Sequence, residues 1–109
     1  MDNETLKKVF IQSHEMIVSD VDLDSVIDTL MSKAIITGEE FCELRKEKNA
    51  IDRRRDSMSL LYASSNPDTF LQFHQVLRDK FPEIAKKIDG QLTSQPTDGK
   101  FLLAAYNYI

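Results

Sequence analysis

From Leu23 to Ala34 the apolar side chains stand at Leu23, Val26, Ile27, Leu30, Met31 and Ala34, that is at i, i+3, i+4, i+7, i+8 and i+11. A helix of about 3.6 residues per turn gathers all of them on one stripe, whereas a strand would scatter them over both faces. No stretch of the chain sustains the period-two alternation of a half-buried strand. The pattern restricts the fold to packed helices, and the flanking sequence repeats it in short pieces.

Six helical segments are expected, with almost no linker between them. The first runs from about Asn3 to Val18, with Leu6, Phe10 and Ile17 near one face and Val9 and Met16 beside them. The second is the stripe just described, opened by Asp20 or Asp22. Thr37 with Glu40 three residues later matches a capping box and opens a short third segment carrying Phe41 and Leu44. Asn49 can cap a fourth, with Ile51, Met58, Leu61 and Tyr62 on one face. Asn66-Pro67-Asp68 supplies an N-cap, a residue suited to the first helical position and a favourable charge for a fifth. That segment holds Phe70, Phe73, Leu77 and Phe81 at core spacing. Pro82 opens a sixth, with Ile84, Ala85 and Ile88 inward and Gly90 as its stop. This gives a bundle over residues 1–92, a linker at 93–99 and an apolar tail at 100–109. The tail reads either as the first turns of a following element or as an extra helix docked on the bundle.

A chain of 109 residues can bury a core without metal or disulfides. Three Gly and three Pro argue against a turn-rich β protein. The single cysteine, Cys42, cannot form an intramolecular disulfide and is expected to be a packed thiol. The acidic start Met1-Asp2-Asn3-Glu4 lacks the apolar core of a secretory signal, and no apolar run approaches membrane-spanning length. A cytoplasmic protein is expected. His14 and His74 have no spacing that makes a metal site with Cys42, and they read as ordinary helix-flank histidines. No nucleophile–base set and no Gly-rich phosphate loop is legible, so neither an enzyme nor a cofactor is expected.

The charges are sorted. From Asp2 to Glu43 there are ten acidic and three basic side chains; from Leu44 to Arg55 there are six basic and two acidic, ending in Arg53-Arg54-Arg55. The remainder is nearly balanced, and the chain carries a net −4. On one helical body such blocks make an acidic and a basic pole, which suits head-to-tail docking on a copy or a relative. On a helical wheel Arg53 lies opposite Met58 and is expected to face water, while Arg54 and Arg55 flank the apolar stripe. Arginine at a helix start opposes the macrodipole, by a few tenths to about 1 kcal/mol each. Among the acids, Glu40 and one of Asp20 and Asp22 have capping duties. Asp28 and Glu43 have none.

Three stretches carry a resemblance. Leu30-Met31-Ser32-Lys33-Ala34-Ile35-Ile36-Thr37-Gly38-Glu39-Glu40 resembles the junction between the second and third helices of the caspase recruitment domain, a branch of the death-fold superfamily. Arg53-Arg54-Arg55 through Met58, Leu60 and Leu61 resembles that family's basic fourth helix. Phe70-Leu71-Gln72-Phe73 through Leu77, with Pro82-Glu83-Ile84, resembles its fifth and sixth. The likeness covers about residues 4–91 and is a diffuse pattern, since the family has no invariant catalytic signature. It implies an all-α, six-helix antiparallel bundle of the death-fold type. It implies a homotypic module without chemistry of its own, which recruits a caspase or signalling scaffold in apoptosis or innate immunity. The implied partner is another such domain on a caspase, an apoptosome-type ATPase or an adaptor, with self-assembly into a head-to-tail oligomer or filament as a further possibility. The expected basic face is Arg53, Arg54 and Arg55, extended by Lys7 and Lys8. The expected acidic face is Asp22, Asp28, Glu39 and Glu43. The alternative is an anion- or nucleic-acid-binding helical domain using the Arg53–Arg55 run with Lys48, which the net negative charge disfavours.

Overall fold

Four helices begin on a side chain that accepts one of the N–H groups a helix start leaves bare. In the computed structural model, which describes residues 2–94, Asp2 opens α1 (Asn3–Gln12) by accepting from the Thr5 N–H at 2.8 Å. Asp22 opens α3 (Leu23–Ser32) and accepts from Ser25 N–H at 3.4 Å. Thr37 and Glu40 form both bonds of the capping box at the start of α4 (Gly38–Arg45). Asn49 opens α5 (Ala50–Tyr62) from Asp52 N–H at 3.0 Å. Between the first two lies α2 (His14–Asp20), and the chain continues through α6 (Thr69–Lys80) and α7 (Pro82–Ser94). The described residues are all-α.

Among the described residues seven helices stand where six were expected, because the first segment bends at Ser13. The backbone ladder still crosses the bend, from Ser13 N–H to the Val9 carbonyl and from Ile17 N–H to the Ser13 carbonyl. The bend lets one sequence face two neighbours: α1 packs on α6 and α7, and α2 packs on α5. Phe10 and Ile17 both reach the core as a result, at no measurable exposure.

Part of the core is a cluster of aromatic rings. Phe10 stacks on Phe73 with ring centroids 4.5 Å apart, and Phe70 leans on both. Leu23, Val26, Leu30, Met58, Leu77 and Ile88 are likewise buried. Each such side chain contributes about 1.5–3 kcal/mol by leaving water.

Four expectations shift. Ala34 is not on the buried stripe; it is exposed, past the end of α3, with φ of 63°. Ile51 is 45% exposed, because the buried face of α5 begins only at Ser57 and continues through Met58 and Leu61. Asn66 does not cap the helix: it accepts from Asp68 N–H at 2.8 Å within a tight turn over Pro67 and Asp68, and α6 starts at Thr69 with Asp68 at its N-cap and no side-chain bond there. Gly90 does not stop the last helix: α7 runs through it to Ser94, and Leu92 extends the stripe of Ile84, Ala85 and Ile88 against the core. The expected linker thus begins at least two residues late. Its remainder and the apolar tail lie outside the described residues. Among the described residues no helix is long and apolar enough to cross a membrane.

Candidate functional site

Consecutive helical residues point about 100° apart, so Arg53, Arg54 and Arg55 leave α5 in three directions. Arg53 turns towards α3. Its Nε and Nη2 donate to the two carboxylate oxygens of Asp24 at 2.9 and 2.8 Å, and its Nη1 donates to the Glu47 carbonyl at 2.8 Å. Its side chain is only 18% exposed. This corrects the expectation that Arg53 faces water. At Arg53 the side of α5 opposite Met58 is not open to solvent, because the start of α3 and the α4–α5 connection meet it there. The hydrogen bonds from Arg53 hold the Asp24 carboxyl below its ordinary range, and Asp24 in turn raises Arg53.

Arg54 is half-buried and donates from Nη1 to the Val18 carbonyl at 3.0 Å, in the last turn of α2. A cation there meets the negative end of the helix dipole. Arg55 stays at the surface. Both of its terminal nitrogens donate to Glu15 of α2, at 2.8 and 3.1 Å. Those bonds lower the Glu15 carboxyl and raise Arg55. The basic run therefore stitches α5 to α2 and α3, instead of standing as a free pole. Lys7 and Lys8 sit on α1, which packs on α6 and α7.

The expected acids divide. Asp22 is spent on its cap, and Asp28 is exposed on α3. Glu39 and Glu43 come together with Glu40 and Asp56 around an open groove between α4 and α5, floored by Leu44 and Leu60. Glu43 also pairs with Lys46 at 2.7 Å; both side chains are more than two-thirds exposed, so the pair is weak. Asp22 and Asp28 are not part of this groove. Leu60, half-buried, serves both the core and the groove floor.

The sequence pattern does not mark Glu15 or Asp56, and it places Asp24 in the acidic group without marking its partner. Asp56 was masked by averaging charge over a block that stopped at Arg55, although it is the next residue. Asp24 and Glu15 lie 29 and 40 residues from their arginines and carry no local signal.

Both histidines tie one element to another. His74 is buried and hydrogen-bonds through Nε2 to Asp89 at 2.8 Å, tying α6 to α7; it is no mere flank residue. His14 Nδ1 lies 2.8 Å from the Tyr62 hydroxyl, which burial pushes up to about 12. Cys42 is exposed and not packed, because the inward face of α4 is carried by Leu44 and Phe41. Arg45 lies over the Phe41 ring, 4.8 Å from its centroid. Among the described residues no group of His, Cys, Asp and Glu is arranged to hold a metal ion. No family model, no curated protein and no solved structure matches the chain.

Proposed function

We propose that the chain is an interaction module of the caspase recruitment type, a six-helix death-fold bundle whose first helix is the bent pair α1–α2. It carries out no reaction. It docks in the cytoplasm on a second domain of its own kind and so brings an attached effector, a caspase or signalling scaffold, to a platform in apoptotic or innate-immune signalling. The observation that carries this is the change of sign across α5. Its α4 edge is acidic, with Asp56 joining Glu39 and Glu43 over an apolar floor, and its α2 edge presents Arg55 beside Arg54. Two unlike, complementary edges favour a head-to-tail contact over a self-matching one, and such a contact can propagate.

The competing idea, a nucleic-acid or anion site at Arg53–Arg55 and Lys48, fits less well. Arg53 is mostly covered and holds a carboxylate within the chain, Arg54 is half-buried on a main-chain carbonyl, and the net charge is −4.

The test uses two charge-reversed chains. One carries Glu39→Lys and Glu43→Lys; the other carries Arg54→Glu and Arg55→Glu. Wild type should associate with rising concentration in sedimentation velocity at low salt. Each altered chain alone should stay monomeric. An equimolar mixture should recover association, since each chain retains one intact edge and the two reversed edges are themselves opposite in charge. A wild-type chain that stays monomeric, or association that survives either reversal, would sink the proposal.

A further inference from the structure

The three arginines of α5 are held to different degrees. Arg53 has three hydrogen bonds, two to Asp24 and one to a main-chain carbonyl, and is mostly covered. Arg54 is half-buried on a helix end. Arg55 hydrogen-bonds to Glu15, and the two side chains are 46% and 74% exposed. Opening an exposed pair of this kind requires little desolvation, and salt weakens it. Yet its geometry, two parallel N–H donors on two carboxylate oxygens, is the one by which an arginine captures a carboxylate from a partner. Glu15 therefore occupies, within the chain, the position that an incoming acidic side chain would take.

We infer that Arg55 is a docking point for a carboxylate on the acidic α4 edge of a second copy, and that Glu15 is an internal competitor closing that point. This deepens the proposed docking and rests on it for the identity of the partner. The choice of occupant follows from charge complementarity: Glu39, Glu43 and Asp56 are grouped over apolar Leu44 and Leu60, and the exposed Arg55 fork fits such carboxylates. Competition lowers the apparent affinity in proportion to the share of molecules in which the fork is closed. An exposed pair of ordinary strength implies a penalty of about two- to fivefold.

The experiment uses tetraglutamate as probe and follows arginine Nε–H signals by NMR during titration of the full chain. Glu15→Gln keeps the size of the side chain and removes its charge. It should bind the probe about two- to fivefold more tightly than wild type, with the largest shift at Arg55. The gain should vanish in Glu15→Gln/Arg55→Gln. Glu4→Gln, which alters net charge equally at an exposed site on α1, should give a smaller gain. Equal affinity of Glu15→Gln and wild type would overturn the inference. So would a gain that survives loss of Arg55, a gain matched by Glu4→Gln, or a probe that binds no variant. The probe reports on the fork alone, so a chain that never self-associates counts against the recruitment proposal and not against the fork.

Discussion

A guanidinium with 18% of its side chain exposed needs oxygens in place of the water it has lost, and Arg53 finds them on Asp24 and the Glu47 carbonyl. Removing one partner leaves the other poorly compensated, which is worse than never having had the pair. Arg53→Glu should therefore lower the melting temperature more than Arg55→Glu, and the swap Asp24→Arg/Arg53→Glu should recover part of the loss. The pH dependence has a definite sign. Hydrogen bonds from Arg53 hold Asp24 below its ordinary 3.8, so the unfolded chain takes up that proton first as acid is added. The stability Asp24 contributes is fully present above 3.8 and is lost as pH falls through the lower, folded value. Thermal unfolding by circular dichroism should show Asp24→Asn less stable than wild type at neutral pH, with the gap closing in acid below 3.8. A gap that is constant with pH would mean that the pair contributes nothing. The same residues show where the sequence is readable. Caps are legible because donor and acceptor lie within three residues, as at Thr37 and Glu40. The arginine partners are not, since a loop closure of 29 or 40 residues leaves no local pattern.

At the scale of elements, the α3–α4 junction shows how tightly a helix end is specified. Ile35 N–H bonds to the Leu30 carbonyl and Ala34 N–H to the Met31 carbonyl, each at 3.0 Å. These are the two bonds of a Schellman ending, and Ile35 packs against the core that holds Leu30. The motif requires a left-handed residue, and this chain puts Ala34 there, with φ of 63°. An L-residue in that region costs about 1–2 kcal/mol, which glycine avoids while adding about 0.4–1 kcal/mol of unfolded-state entropy. Ala34→Gly should thus stabilise the bundle by up to about 1 kcal/mol in urea unfolding, with the slope unchanged. Lys33→Gly, one residue earlier at φ of −92°, should instead destabilise by roughly 0.5–1 kcal/mol. If both glycines act alike, the strain assigned to Ala34 is absent. Helix ends are also where sequence-based expectation failed. Ala34 matched the apolar period, yet period cannot tell the last turn of a helix from the turn that stops it. Gly90 fits a stop signal, but the burial of Leu92 carries α7 past it. The bend at Ser13 has no punctuation at all, because it is set by which neighbours α1 and α2 meet.

At the scale of the molecule, the sorting of charge along the chain becomes cross-linking in space. The acidic first part supplies Asp24 and Glu15, the basic block supplies Arg53 and Arg55, and the fold brings them together. What remains for a partner is smaller than the charge counts suggest: the acidic groove of α4 and α5, and the arginine edge beside α2. Salt acts on both the internal pair and the external contact, and this gives the whole molecule a signature. Added salt shortens the screening length from about 10 Å at 0.1 M to about 3 Å at 1 M, weakening the contact between copies. In wild type it also releases Arg55 from Glu15, which offsets part of that loss. Glu15→Gln has no internal competitor to release. Its self-association should therefore be stronger at low salt and fall more steeply, the two curves converging as salt approaches 1 M. Sedimentation equilibrium of both chains across that range checks it. Parallel curves would show that Glu15 changes only net charge, and that the fork on α5 plays no part in how one copy meets the next.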